Sequence, residues 1–222
     1  MEKELRRLLH EGATRLAIEF GDSGLDRLEL YFSELKKWNR KVNLIARSVS
    51  DAQILEKHFL DSLTLVSMLP RSGAHLVDVG TGGGFPGLVC KAVVPDLTLS
   101  LVEPRQKRVS FLRHISRKLK LEKLRIYPAR LEECPLLLED ATVTHVTSRA
   151  VTEVGPFLEM VERFGGTGPE LLLMKGPRWQ EEVEKAQTVI DRSPYGLTDV
   201  AEWVLPFCGA KRAILRFNVK GS

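Results

Sequence analysis

Apolar residues in the first 70 positions recur every three or four residues: Leu5, Leu8, Leu9, Leu16 and Phe20, then Leu25, Leu28, Phe32 and Leu35, then Ile54, Leu55, Phe59, Leu63 and Val66. That spacing lines one side of a helix, so the segment predicts about three amphipathic helices. Gly21 to Gly24 and Ser48 to Asp51 separate them, with Asp51 placed to cap the third. From His75 the pattern changes. Short apolar runs at 75–80, 98–103, 124–129, 143–149 and 170–175 alternate with amphipathic stretches at 87–94, 107–120, 153–164 and 178–191. Such alternation predicts a mostly parallel sheet with helices on both faces. The tail, 196–205 and 212–219, is interrupted by Phe207-Cys208-Gly209-Ala210 and predicts a β-hairpin that brings the sheet to seven strands. The expected organisation is an N-terminal helical appendage over 1–70 and an α/β domain over 71–222.

The 222 residues, 43% hydrophobic and 28% charged, fit an ordinary globular chain with one main domain. No apolar run approaches the ~20 residues needed to cross a bilayer, and Met1 to Arg7 lead into an amphipathic pattern without a signal-peptide core. A cytoplasmic protein with no membrane partner is expected, and a monomer is the default. Cys90, Cys134 and Cys208 are odd in number, far apart and free of CxxC spacing, which argues against disulfides and against a metal site. Each is expected to be a small buried residue. Charge is uneven: between Pro104 and Arg125 nine Lys or Arg stand against one acid, Glu122, although the whole chain is only +4. A localised positive field of this kind suits a polyanionic partner.

The sharpest motif is Val77-Asp78-Val79-Gly80-Thr81-Gly82-Gly83-Gly84-Phe85-Pro86-Gly87, which runs from the first expected strand into a helix. Glycines there let the backbone take positive φ and approach a ligand, and the helix start offers unpaired N–H groups. Two cofactor classes compete. Gly82 to Gly87 satisfies GxGxxG, and Glu103, about 20 residues on, could hold the ribose of a nicotinamide dinucleotide. S-adenosylmethionine also needs a carboxylate for its ribose but has no pyrophosphate; it suits an acid in the first strand, Asp78, and several glycines, Gly80, Gly82 and Gly84, around its amino-acid tail. Methyl transfer from a sulfonium requires mainly alignment and exclusion of water, and a neutral lone pair such as guanine N7 needs no general base.

Several blocks resemble the 16S ribosomal RNA 7-methylguanosine methyltransferase family, also called glucose-inhibited division protein B. They are Lys37 to Leu44, His58 to Ser62, Asp78 to Gly87, Lys107 to Arg113, Arg130 to Glu133, Ser148 to Ala150 and Met174 to Gly176, in the family's order. The resemblance implies a Rossmann-like class I methyltransferase fold with a seven-stranded sheet. It implies S-adenosylmethionine as donor and a guanosine N7 of 16S (small-subunit) ribosomal RNA, naked or in the subunit, as acceptor. It places Gly80 and Phe85 along the cofactor, Leu131 and Glu132 beside the adenine, Glu103 on the ribose, and Arg149 near the methionine or the acceptor. Glu103 stands where the family more often has Asp, and Gly83 and Phe85 depart from the family's loop.

Other candidates bear on the RNA. Arg113, Arg117 and Lys120 fall at i, i+4 and i+7, opposite the apolar stripe of Phe111, Ile115 and Leu119, and form a possible phosphate track. Asn39, Asn43 and Arg47, near Trp38, could reach a guanine edge or phosphate; otherwise Trp38 packs the appendage on the core and Asn43 caps a helix. His58 and Asp61 could aim an acid at the cofactor or form a local pair. Arg149, at a strand's C-terminal end, could neutralise a carboxylate or phosphate, or pair with Glu132. Lys175 could meet phosphate or extend to solvent.

Overall fold

The computed structural model describes residues 2–164 and 168–221. Seven strands form one sheet: β1 (His75–Val79), β2 (Thr98–Val102), β3 (Leu124–Tyr127), β4 (His145–Arg149), β5 (Glu170–Lys175), β6 (Tyr195–Val204) and β7 (Lys211–Val219). Their order is β3-β2-β1-β4-β5-β7-β6. β1 to β5 pair in parallel, and β7 runs antiparallel between β5 and β6. The expected mostly parallel sheet with a closing hairpin is therefore present. From β1 the chain builds outward to β3, then returns to the other side of β1 at β4, so the C-terminal ends of β1 and β4 flank a crevice where ligands of such sheets bind.

Side-chain alternation along β1 divides the core. Leu76 joins Leu88, Leu99, Leu101, Phe111 and Ile115 on one face, while Val77 and Val79 join Val146, Phe157, Leu171, Leu173 and Leu215 on the other. The first face is covered by α5 (Gly87–Val93) and α6 (Gln106–Lys118), and the second by α7 (Pro135–Leu138), α8 (Val154–Val161) and α9 (Trp179–Arg192). The first face also contains Leu9, Leu28, Leu35, Phe59 and Leu63. These belong to α1 (Glu2–Arg15), α2 (Asp22–Asn39) and a third helical run from Asp51 to Met68. The N-terminal helices thus share a hydrophobic core with the sheet.

That third run is irregular: α3 (Asp51–Ile54), a π-helical turn over Leu55–Leu60, α4 (Asp61–Leu63) and a 3-10 turn over Thr64–Met68. Its cap is Ser50, not Asp51. Ser50 Oγ accepts from Gln53 N, and the Gln53 side chain returns to Ser50 N, a capping box that leaves Asp51 to pair with Lys36. Gly24 is not a separator either, because it lies inside α2, where lacking a Cβ lets Val93 of α5 pack closely. α6 ends at Lys118, and Lys120, expected on its face, lies beyond it with φ 51°. Cys90 and Cys134 are buried as expected, but Cys208, in the turn between β6 and β7, is exposed.

Candidate active site

The glycine motif leaves β1 by hooking over its neighbour: the N–H groups of Gly80 and Thr81 both donate to Val102 O of β2. Gly80, Gly82 and Gly84 have φ of 66°, 60° and 98°, in the left-handed region that side chains disfavour. A Cβ on Gly82 would meet nothing nearer than Arg108 Nη1 at 3.6 Å and Gly80 O at 3.9 Å, so this part of the loop is open for a ligand. Asp78 works from beneath. Its Oδ2 accepts from Thr81 Oγ1 at 2.6 Å and from Gly87 N at 2.8 Å, tying the loop to the start of α5. Complete burial pushes its carboxyl up to about 6, opposed by those two hydrogen bonds and by the Arg149 charge. Asp78 Oδ1 accepts no hydrogen bond among the described residues. Asp78 therefore shapes the loop from behind rather than facing open space.

Glu103 follows β2 and is only 2% exposed. Its Oε2 accepts from Gly82 N at 3.0 Å and its Oε1 from Arg105 N at 2.9 Å. Arg108 Nη1 stands 3.5 Å from Oε2. Arg108, together with Asn43 to Arg47, lines a cavity of about 540 Å³ beside this carboxylate. On the other side, β3 leads into a 3-10 turn over Leu131–Glu133, where Leu131 is buried in the cluster of Val79 and Val102 and Glu132 is exposed. Loop glycines, Glu103 and Leu131 thus gather at the C-terminal ends of β1 to β3.

Phe85 is buried in an aromatic group rather than lining open space. It stacks on Tyr31 at 5.5 Å and meets Phe59 edge-on at 5.4 Å and His58 at 5.1 Å. The Arg149 guanidinium lies 5.2 Å from its ring centroid. Arg149 does not pair with Glu132. It donates to Asp61 Oδ2 at 3.0 Å, to Lys57 O at 3.1 Å and to His58 Nδ1 at 3.1 Å. His58 and Asp61 do not pair with each other; both meet Arg149 instead, His58 from the π-helical turn and Asp61 from the residue after it. Burial, then the charges of Arg149 and Lys57, push the His58 imidazole down to about 3, so it is neutral and can accept. Arg212 of β7 completes the group, its Nε 3.1 Å from Asp61 Oδ1.

Arg149 also borders a second cavity of about 440 Å³, over the C-terminal ends of β4 and β5, lined by Met174, Lys175, Glu182, Arg212 and Ile214 among others. Lys175 Nζ donates there to Glu182 Oε2 at 2.8 Å and to Thr152 O at 2.9 Å, instead of extending to solvent. The proposed RNA-contacting residues divide. Arg113 and Arg117 are exposed on α6, with Lys120 just beyond it. Asn39 Oδ1 is occupied by the N–H groups of Leu44 and Ile45, and Trp38 packs on Phe111 and His114, so both shape the chain locally. Asn43 and Arg47 are exposed and bonded to each other at 3.0 Å. Arg108, Glu182 and Arg212 were absent from the sequence expectations as site residues. Only Arg108, five residues after Glu103, had a local signal.

Residues 25–206 match the family described as rRNA small subunit methyltransferase G. A ribosomal RNA small subunit methyltransferase G from Desulfotalea psychrophila is 51% identical over 207 residues, 93% of this chain and 95% of that protein. Proteins of the same name from Syntrophus aciditrophicus and Geobacter sulfurreducens are 36% and 34% identical, each over 96% of this chain and over 88% and 96% of their own lengths. Among solved structures, a SAM dependent methyltransferase from Aquifex aeolicus superposes with a TM-score of 0.56 at 20% identity, over 85% of this chain and 98% of its own. M. jannaschii TYW2 in complex with AdoMet gives 0.56 at 12% identity, over 72% and 74%. These structures share the class I methyltransferase fold. The extent of the sequence match carries the closer relationship, and the chain belongs to the rRNA small subunit methyltransferase G family.

Proposed function

We propose that this chain transfers the methyl group of S-adenosylmethionine to N7 of a guanosine in 16S ribosomal RNA, in the cytoplasm. The observation that carries the reading is the pairing of an open left-handed glycine loop with a buried carboxylate, Glu103 on Gly82, at the switch point of the sheet in a chain of this family. The residues fit the donor. Glu103 would hold the ribose hydroxyls, Gly80 and Gly82 would admit the amino-acid portion, Leu131 would pack against the adenine, and Arg149 would face the junction of donor and acceptor. When bound, the sulfonium supplies an electrophilic methyl group.

What the chain adds is alignment. Guanine N7 attacks with a lone pair and loses no proton, so no side chain has to act as a base. Asp61 bridges Arg149 and Arg212 and offsets part of their charge, and neutral His58 accepts from the Arg149 guanidinium, keeping the junction rigid. Arg113, Arg117 and Lys120, all exposed, would follow an RNA backbone. Titration calorimetry tests the donor site. Wild-type protein should bind S-adenosylmethionine, and Glu103→Ala should weaken it roughly 10- to 100-fold, as expected for losing charge-assisted hydrogen bonds. Binding of a nicotinamide dinucleotide instead, with no response to S-adenosylmethionine, would overturn the reading.

A further inference from the structure

We infer that the Lys175–Glu182 pair reads the Watson–Crick edge of the acceptor guanine, in the cavity over β4 and β5; this rests on the guanosine-N7 reading above. N7 alone cannot select the base, because adenine presents the same acceptor there. Guanine differs on its opposite edge, where O6 accepts and N1–H and the N2 amino group donate. A carboxylate beside an ammonium is the complement: the carboxylate takes the two adjacent donors and the ammonium meets O6. Adenine would set its N6 amino group against the ammonium and its N1 lone pair against the carboxylate, which is repulsive at both places.

Among the described residues, this arrangement occurs once along the cavity. Glu182 Oε2 holds Lys175 Nζ at 2.8 Å, and Glu182 Oε1 accepts no hydrogen bond among the described residues. Lys175 spends a second hydrogen on Thr152 O at 2.9 Å, leaving one of its three for a ligand. The ammonium arm is 8% exposed and the carboxylate arm 26%, so Lys175 is held in place while Glu182 faces the opening. Asp61, the other carboxylate of the cavity, is already taken at both oxygens by Arg149 and Arg212. The position also suits the chemistry. Donor residues gather over β1 to β3, this cavity lies over β4 and β5, and Arg149 reaches from Phe85 of the glycine loop to the cavity wall.

Were the pair only an anchor between β5 and α9, its loss would change stability without regard to the base offered. The experiment maps the methylated guanosine, then compares reconstituted small subunits carrying guanosine or inosine there, since inosine lacks the N2 amino group. Wild-type kcat/KM should fall roughly 10-fold on inosine, and Glu182→Ala should fall roughly 10- to 100-fold on guanosine with no further loss on inosine. Cofactor affinity, measured separately, should stay within about twofold. Glu182→Gln preserves the volume of the side chain and should lose the inosine effect in the same way. Wild-type 7-methylguanosine formation with both variants keeping the full inosine penalty overturns this inference alone; a wild type that forms no 7-methylguanosine overturns the parent reading with it.

Discussion

Gly84 shows how narrowly single residues are constrained around the loop. With φ 98°, a Cβ there would strike the Tyr31 hydroxyl and come within 2.5 Å of Leu88 Cδ1. Gly84→Ala should therefore lose about 2–4 kcal/mol in urea unfolding, from overpacking added to left-handed strain; a loss under half a kcal/mol would contradict this packing. His58 gives a pH test. Its imidazole is near 3 when folded against 6.5 unfolded, so the unfolded chain binds the extra proton between these values. Its contribution is full above pH 6.5 and is lost as pH falls toward 3. The buried Asp78, raised to about 6, works oppositely, adding stability as pH falls through 6 toward 3.8. Wild type and His58→Gln should consequently converge in stability between pH 7 and pH 4.5, and parallel curves would contradict the buried neutral imidazole. That Glu103 stands beside the glycine loop was legible because a strand-end acid about 20 residues on has a fixed local spacing; that Asp78 ties the loop from beneath instead of facing a ligand was not, because it depends on bonds to Thr81 and Gly87 that form only in the fold. The Arg212–Asp61 and Arg149–Asp61 pairs were not, since their partners lie 151 and 88 residues apart and only the fold brings them together.

Among elements, the strands and most helices followed from apolar periodicity, because β1, β2, β4 and β5 are buried on both faces and read as short apolar runs, while the edge strand β3 is only half-buried. The π-helical turn did not. It changes the hydrogen-bonding step without changing the apolar spacing, and it carries His58, which with the following Asp61 meets Arg149. The hairpin also does more than close the sheet: the N–H groups of Phe207 and Cys208 donate to Glu56 Oε1, fastening its turn to the same helical run. α6 carries buried Phe111, Leu112 and Ile115 on one side and exposed Arg113 and Arg117 on the other. Replacing both arginines with Gln should lower the slope of log affinity for small-subunit RNA against log salt by about two, with cofactor affinity unchanged. An unaltered slope would remove α6 from the RNA track.

At the scale of the whole molecule, the sheet order separates two cavities across one switch point, and the N-terminal segment borders both: Asn43 to Arg47, after α2, line the one beside Glu103, and Lys57, His58, Asp61 and Thr64 line the one over β4 and β5. Tyr31 of α2 donates to Gly83 O inside the glycine loop, so the helical segment supports the site directly. The sequence suggested an appendage because helix periodicity reports which face is apolar, and not what that face covers. Methyl transfer to guanine N7 can be read directly from the product. The protein is to be incubated with methyl-labelled S-adenosylmethionine and small ribosomal subunits lacking the modification, the RNA digested, and the labelled nucleoside identified. Label in 7-methylguanosine is the predicted result; label in any other nucleoside, or none from protein shown to bind the donor, would contradict it.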